Sequence, residues 1–123
     1  VIEVIIKKKK WAFGKTPSYL LNEKGKYCAA GFLCKDFLKI PDDILLNEIY
    51  VIRAIRRAFK KKSIAKEMRE RINKFYDFNF TKEKRNIWQL SKTNDNPFIN
   101  DSKRQFELKA AFWAISIKIN FEN

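Results

Sequence analysis

Cys28 lies two residues after Lys26, and the run Cys28, Ala29, Ala30, Gly31, Phe32 that it opens reads as the start of a helix. A thiol at a helix N-terminus beside a lysine has two of the features that lower a thiol pKa and expose a thiolate nucleophile. Nucleophilic catalysis also needs a base, and the chain contains no histidine. That absence removes Cys-His and Ser-His pairs, imidazole acid–base chemistry and histidine metal sites. The two cysteines alone cannot close a structural zinc site. No base for Cys28 is identifiable, so Cys28, Ala29, Ala30 and Gly31 are read as small because their helix packs closely, against a sheet. Cys34 falls about 240° away from Cys28 around the same helix, which argues against a disulfide and for two reduced thiols.

The polar candidates are few. Asn94 and Asp95 could serve as catalytic groups, but Asn and Asp between a periodic run and Pro97 are read as turn and cap residues. Asp42 and Asp43, neighbours before a helix, look like caps rather than a general acid and its base. No glycine-rich phosphate loop, zinc finger or aromatic ribonucleoprotein signature is present, so no cofactor is implied and a non-enzymatic role is expected.

Charge is the strongest functional signal. The chain carries 27 Lys plus Arg against 14 Asp plus Glu, for a net +13 over 123 residues. Residues 53–74 hold ten basic and two acidic residues, so +8 of that excess sits in a short stretch. Arg53, Arg56, Arg57, Lys60, Lys61, Lys62, Lys66 and Arg69 form its core. Such a concentration is the electrostatic footprint of a surface that meets phosphates or an acidic protein. The competing reading is a lysine-rich solvated face in a chain biased toward Lys, Asn and Ile.

These residues need a scaffold. Hydrophobic residues make up 46% of the chain, enough for one folded core, while three Gly and three Pro leave little turn material for a many-stranded sheet. The predicted fold is α+β: a mostly helical single domain whose N- and C-terminal strands pair in a small sheet. Val1 to Trp11 is rich in β-branched residues, and Ile115, Ile117, Ile119 and Phe121 alternate with polar positions. Between them the spacing predicts helices over 28–39, stopped by Pro41, and over 48–61, with Ile49, Ile52, Ile55 and Phe59 facing inward and Arg53, Arg57, Lys60 and Lys61 outward. Further helices are expected from Ser63 through Ile64, Met68, Ile72 and Phe75, over 81–92, and from Asp101 through Phe106, Leu108, Phe112 and Trp113. No apolar run is long enough to span a bilayer, and the first segment lacks the order of a secretory signal, so a cytoplasmic protein is expected.

Trp11 with Gly14, the stretch Gly25 to Leu33, Ile40-Pro41-Asp42, Asn94-Asp95, and Arg104, Phe106, Leu108 and Phe112 before an alternating strand together resemble a small family of uncharacterised bacterial and phage proteins. Those carry W-x-x-G, G-K-x-C-x-L-G-F-L, I-P-x-x-x-L and I-N-D motifs. The resemblance covers residues 11–46 and 87–121. Ala30 stands where the family often has Leu, and the basic stretch 49–80 has no counterpart. The resemblance implies a phage or prophage accessory protein in a bacterial host and no reaction.

The expectation is therefore a binding protein whose basic helical face meets nucleic acid or a nucleic-acid-handling host protein, for example as an inhibitor of host defence. The alternative is a small nucleotide-binding or nucleotide-modifying protein with Arg and Lys phosphate clamps, which would need a concave pocket with convergent arginines.

Overall fold

The two ends of the chain meet in a parallel pair. The computed structural model describes residues 2–14, 18–60, 66, 69, 70, 91–114 and 117–123. Strand β1 (Ile2–Lys7) lies beside β2 (Ile117–Glu122), with Val4 opposite Ile119 and Ile6 opposite Phe121. The period-two alternation decides the faces: Val4, Ile6, Ile117 and Ile119 are buried, while Glu3, Lys7 and Lys118 point to solvent. Asn120 donates to Glu3 across the open face. The sheet is thus the expected small terminal one, and the fold is α+β with helices in the majority. The expected contribution of Ile115 lies outside the described residues.

The predicted helix over 28–39 is built differently from its expectation. Helix α1 (Ala29–Phe32) continues into a π-helical turn over Leu33–Phe37, closed by Leu38 N donating to Leu33 O at 3.2 Å. Residues 29–34 are all buried, so this is a core helix apolar on every side rather than one with a single inward stripe. It ends where Lys39 adopts a φ of 60°, two residues before Pro41. Its close contact is not with the sheet alone: a Cβ added at Gly31 would lie 1.8 Å from the Leu20 carbonyl oxygen. Glycine is the residue that lets loop and helix backbones approach that far.

Asp42 and Asp43 occupy the first turn of α2 (Asp42–Leu45) and do not cap it, since Pro41 takes the cap position without a side-chain bond. Asp42 instead accepts from Tyr27 Oη at 2.8 Å and pairs with Lys35 Nζ at 3.0 Å. Burial pushes its carboxyl up, but the bonds from Lys35 and Tyr27 outweigh that and leave its pKa lowered. Leu45 to Glu48 then form a type II turn, with Glu48 N donating to Leu45 O and Asn47 supplying the positive φ of 58°. The longer helices are α3 (Val51–Lys60) and α4 (Asp101–Ala114), and residues 66, 69, 70 and 91–95 are helical as well. Asn100 caps α4 by accepting from Lys103 N at 2.8 Å.

Candidate functional site

Helix α3 carries the basic face, but rotated from its expected orientation. The buried stripe is Val51, Ala54, Ile55 and Ala58; Ile52 and Phe59 are half-buried, and Ile49 precedes the helix and is exposed. The buried side thus combines the bulky Val51 and Ile55 with the small Ala54 and Ala58, and small residues at a helix contact permit close approach. Arg53, Arg56, Arg57 and Lys60 all remain exposed. Lys66 and Arg69 are exposed as well, and the Arg69 guanidinium lies 5.9 Å from the Phe59 ring centre, which brings it back beside α3. Lys66 stands 3.9 Å from Glu70. Lys61 and Lys62, and the stripe from Ile64 to Phe75, lie outside the described residues.

The four described arginines and lysines of α3 are not equivalent. Arg57 Nη1 donates to the Ile44 carbonyl at 3.0 Å and lies 4.0 Å from Glu48, so it ties α3 to α2. Arg53 Nη1 lies 3.9 Å from Glu48, and its guanidinium stacks 5.2 Å from the Tyr50 ring centre. Glu48 itself is buried, and its Oε2 accepts from the N–H groups of Ile49 and Tyr50 at 2.9 and 3.2 Å. Arg56 and Lys60 have no acidic partner among the described residues. Arg57 therefore works within the fold, contrary to its expected place on an unengaged outer face, while Arg53, Arg56 and Lys60 present charge outward.

A second constellation is buried. Asn94 lies in the helical residues 91–95, is 1% exposed, and stands inside the helical run rather than in the turn or cap position expected of it. Its Oδ1 accepts from Trp11 Nε1 at 2.8 Å and from Ala29 N at 3.1 Å, and its Nδ2 donates to Ala12 O and Asp95 Oδ1, each at 3.0 Å. Its carbonyl accepts from Gly14 N at 2.9 Å. Asp95 Oδ2 accepts from Ser18 N at 3.4 Å rather than capping its own turn, a role taken by Asn96, whose Oδ1 accepts from Phe98 N. Arg104, 3% exposed, gathers the carbonyls of Asn94, Asn96 and Ile99 and stacks over Phe13. Trp11, Gly14, Cys28-Ala29, Asn94-Asp95 and Arg104, which are scattered in sequence, thus meet at one hub.

Cys28 sits at the α1 cap and its Sγ accepts from Gly31 N at 3.4 Å. Burial pushes its thiol up to about 12, more than the Gly31 N–H lowers it, so it is held neutral. Cys34 is also buried and its thiol is likewise raised by burial. Neither is a thiolate at neutral pH, which fits small packing residues.

A cavity of about 440 Å³ opens beside the hub between Trp11, Phe13 and Tyr19, with Lys24 and Lys26 at its edge and no arginine among its described lining residues. Helix α4 buries Arg104, Leu108 and Phe112, whereas Phe106 and Trp113, expected along its apolar run, are 74% and 60% exposed. No helix among the described residues is long and apolar enough to cross a membrane. The chain matches no family model, no curated protein and no solved structure.

Proposed function

We propose that this chain is a non-enzymatic, phage-type accessory protein acting in a bacterial cytoplasm, and that the solvent face of α3 binds an anionic partner. The partner is nucleic acid or a host protein that handles it, whose nucleic-acid groove such a basic helix would occupy. One observation carries the reading. Arg53, Arg56 and Lys60 are exposed along one side of a helix whose other side is buried, and the nearby carboxylate, Glu48, is buried and held by backbone N–H groups. Arg56 and Lys60 therefore present charge with no acidic partner among the described residues, while Arg53 is exposed but shares Glu48 with Arg57.

The test replaces Arg53, Arg56 and Lys60 together by Glu and leaves Arg57 in place. The triple variant should remain helical by circular dichroism with a somewhat lower Tm, because Arg53→Glu sets a carboxylate toward the buried Glu48, whereas exposed positions such as Arg56 and Lys60 shift stability by only about 0.5 kcal/mol each. Binding to labelled oligonucleotides, or capture of a host protein that survives nuclease treatment, should be lost. For duplex DNA, the log–log salt slope should fall by about 3 with the three contacts. Undiminished binding by the triple variant would reduce the face to a solvated surface.

A further inference from the structure

The turn that leads into α3 exposes apolar and aromatic surface next to the basic face. Tyr50 is 55% exposed, Leu46 43%, Ile49 38% and Tyr19 36%. Backbone bonds hold these residues in one place: Leu20 N donates to Glu48 O at 2.7 Å and Asn47 N to Leu21 O at 2.9 Å, which sets the segment containing Tyr19 beside the turn containing Leu46 and Ile49.

The backbone of Tyr50 is held at both of its polar groups. Its N–H donates to Glu48 Oε2 at 3.2 Å, and its carbonyl accepts from Ala54 N at 3.1 Å in the first bond of α3. The Arg53 guanidinium stacks 5.2 Å from the ring centre and is itself held near Glu48. The result is an aromatic ring on a held backbone, 55% exposed and with a cation 5.2 Å from its centre. A backbone held in advance loses little conformational freedom on binding. From Arg53 past Arg56 to Lys60 the charge continues along α3 for about 10 Å at 1.5 Å per residue.

We propose that the partner of this face is a single-stranded nucleic acid, one base of which stacks on the exposed ring of Tyr50 while Arg53, Arg56 and Lys60 meet the adjoining phosphates. This rests on the reading of α3 as an anion-binding surface and narrows its partner. Charge complementarity selects a polyanion, and the exposed ring selects one that offers unpaired aromatic faces. Stacking of this kind is tolerant of sequence, because every base has a π face, and guanidinium contacts reinforce it. A duplex keeps its bases stacked on one another, so against it the ring has nothing to grip and only the cations contribute.

The experiment measures fluorescence anisotropy of a short labelled oligothymidine and of a labelled duplex with the parent chain, Tyr50→Ala, Tyr50→Phe and the triple Arg53, Arg56, Lys60→Glu variant. Tyr50→Ala should weaken single-strand binding roughly tenfold to a hundredfold, the range expected for one lost base stack. Tyr50→Phe should stay within about twofold, since it keeps the π face. Duplex affinity should be the same for all three Tyr50 forms, and circular dichroism should show each folded. If Tyr50→Ala binds the single strand like the parent while the triple variant does not, stacking is overturned and the basic face survives as a backbone contact. If the triple variant also binds like the parent, or if the parent binds no oligonucleotide, both the stacking and the nucleic-acid reading of α3 fall.

Discussion

Asn94 Oδ1 accepts a hydrogen bond from Trp11 Nε1 at 2.8 Å across 83 positions of chain, in a fully buried setting. The same side chain also satisfies Ala29 N and Ala12 O, so one amide joins the segment after β1, the start of α1 and the helical residues 91–95. Leaving a buried donor or acceptor unsatisfied costs about 1–3 kcal/mol per group.

Asn94→Ala should therefore lower stability by roughly 3 kcal/mol or more, as several groups lose their partner together. Urea unfolding followed by tryptophan fluorescence reads the loss directly. Asn94→Asp keeps the acceptor for Trp11 but removes the donor to Ala12 and places a second carboxylate beside Asp95, so it should also destabilise. A parental midpoint for either variant would show that the hub repacks around the loss.

Gly31→Ala should be more damaging than a single methyl suggests. The added Cβ would stand 1.8 Å from the Leu20 carbonyl oxygen, a backbone atom that no side-chain rotation can move away. Overpacking in a tight core costs about 1–3 kcal/mol and more where backbone must move. The expected result is a large fall in Tm, or little folded protein, whereas Ala30→Gly should cost only about 1 kcal/mol through helix propensity.

Arg56 and Arg57 are adjacent yet should respond differently to charge reversal. Arg57→Glu removes the bond to Ile44 O and brings a carboxylate toward the buried Glu48, so it should lower Tm clearly. Arg56→Glu should leave stability within about 0.5 kcal/mol, as for exposed helix positions in general. Equal Tm values for the two variants would remove Arg57 from the fold and return it to the outward face.

Alkaline pH should weaken the fold. Burial raises the Cys28 thiol from 9.0 to about 12 and the Tyr27 phenol from 10.0 to about 12, and it raises Cys34 as well. In each case the folded chain keeps a proton that the unfolded chain releases. The resulting stabilisation is complete below pH 9.0 and is lost as pH climbs toward about 12. Tm should decline from near pH 9 upward, and the double Cys28→Ala, Cys34→Ala variant should decline less steeply over the same range, despite a lower Tm at neutral pH from lost packing volume. An unchanged slope would exclude the thiols as its cause.

What could be known from the chain alone was local. The alternation of Ile117 and Ile119 with Lys118 and Asn120 specifies a one-sided strand wherever it is placed, because side-chain direction has a period of two. The two terminal strands as such, the stop before Pro41 and the start of the last helix at Asp101 followed from such short-range rules, and so did the concentration of charge on α3, since charge is a property of composition; that the strands pair, and in parallel, is a tertiary contact. The absence of histidine narrowed the chemistry before any fold was considered.

Other outcomes depended on what each residue meets across the chain. Which side of α3 turns inward depended on how Val51, Ala54, Ile55 and Ala58 together pack against the core, which hydrophobicity alone does not rank above a side containing Ile49. Asn94 read as a turn residue because its type and its neighbour Pro97 say so locally; its buried role exists only because Trp11, Ala12 and Ala29 arrive around it. Arg57 is a surface cation by type and a tie to α2 by position. Hydrogen bonds and steric limits between segments tens of residues apart leave no periodic trace in sequence, so tertiary structure alone could distinguish the arginines that hold the fold from those that face outward.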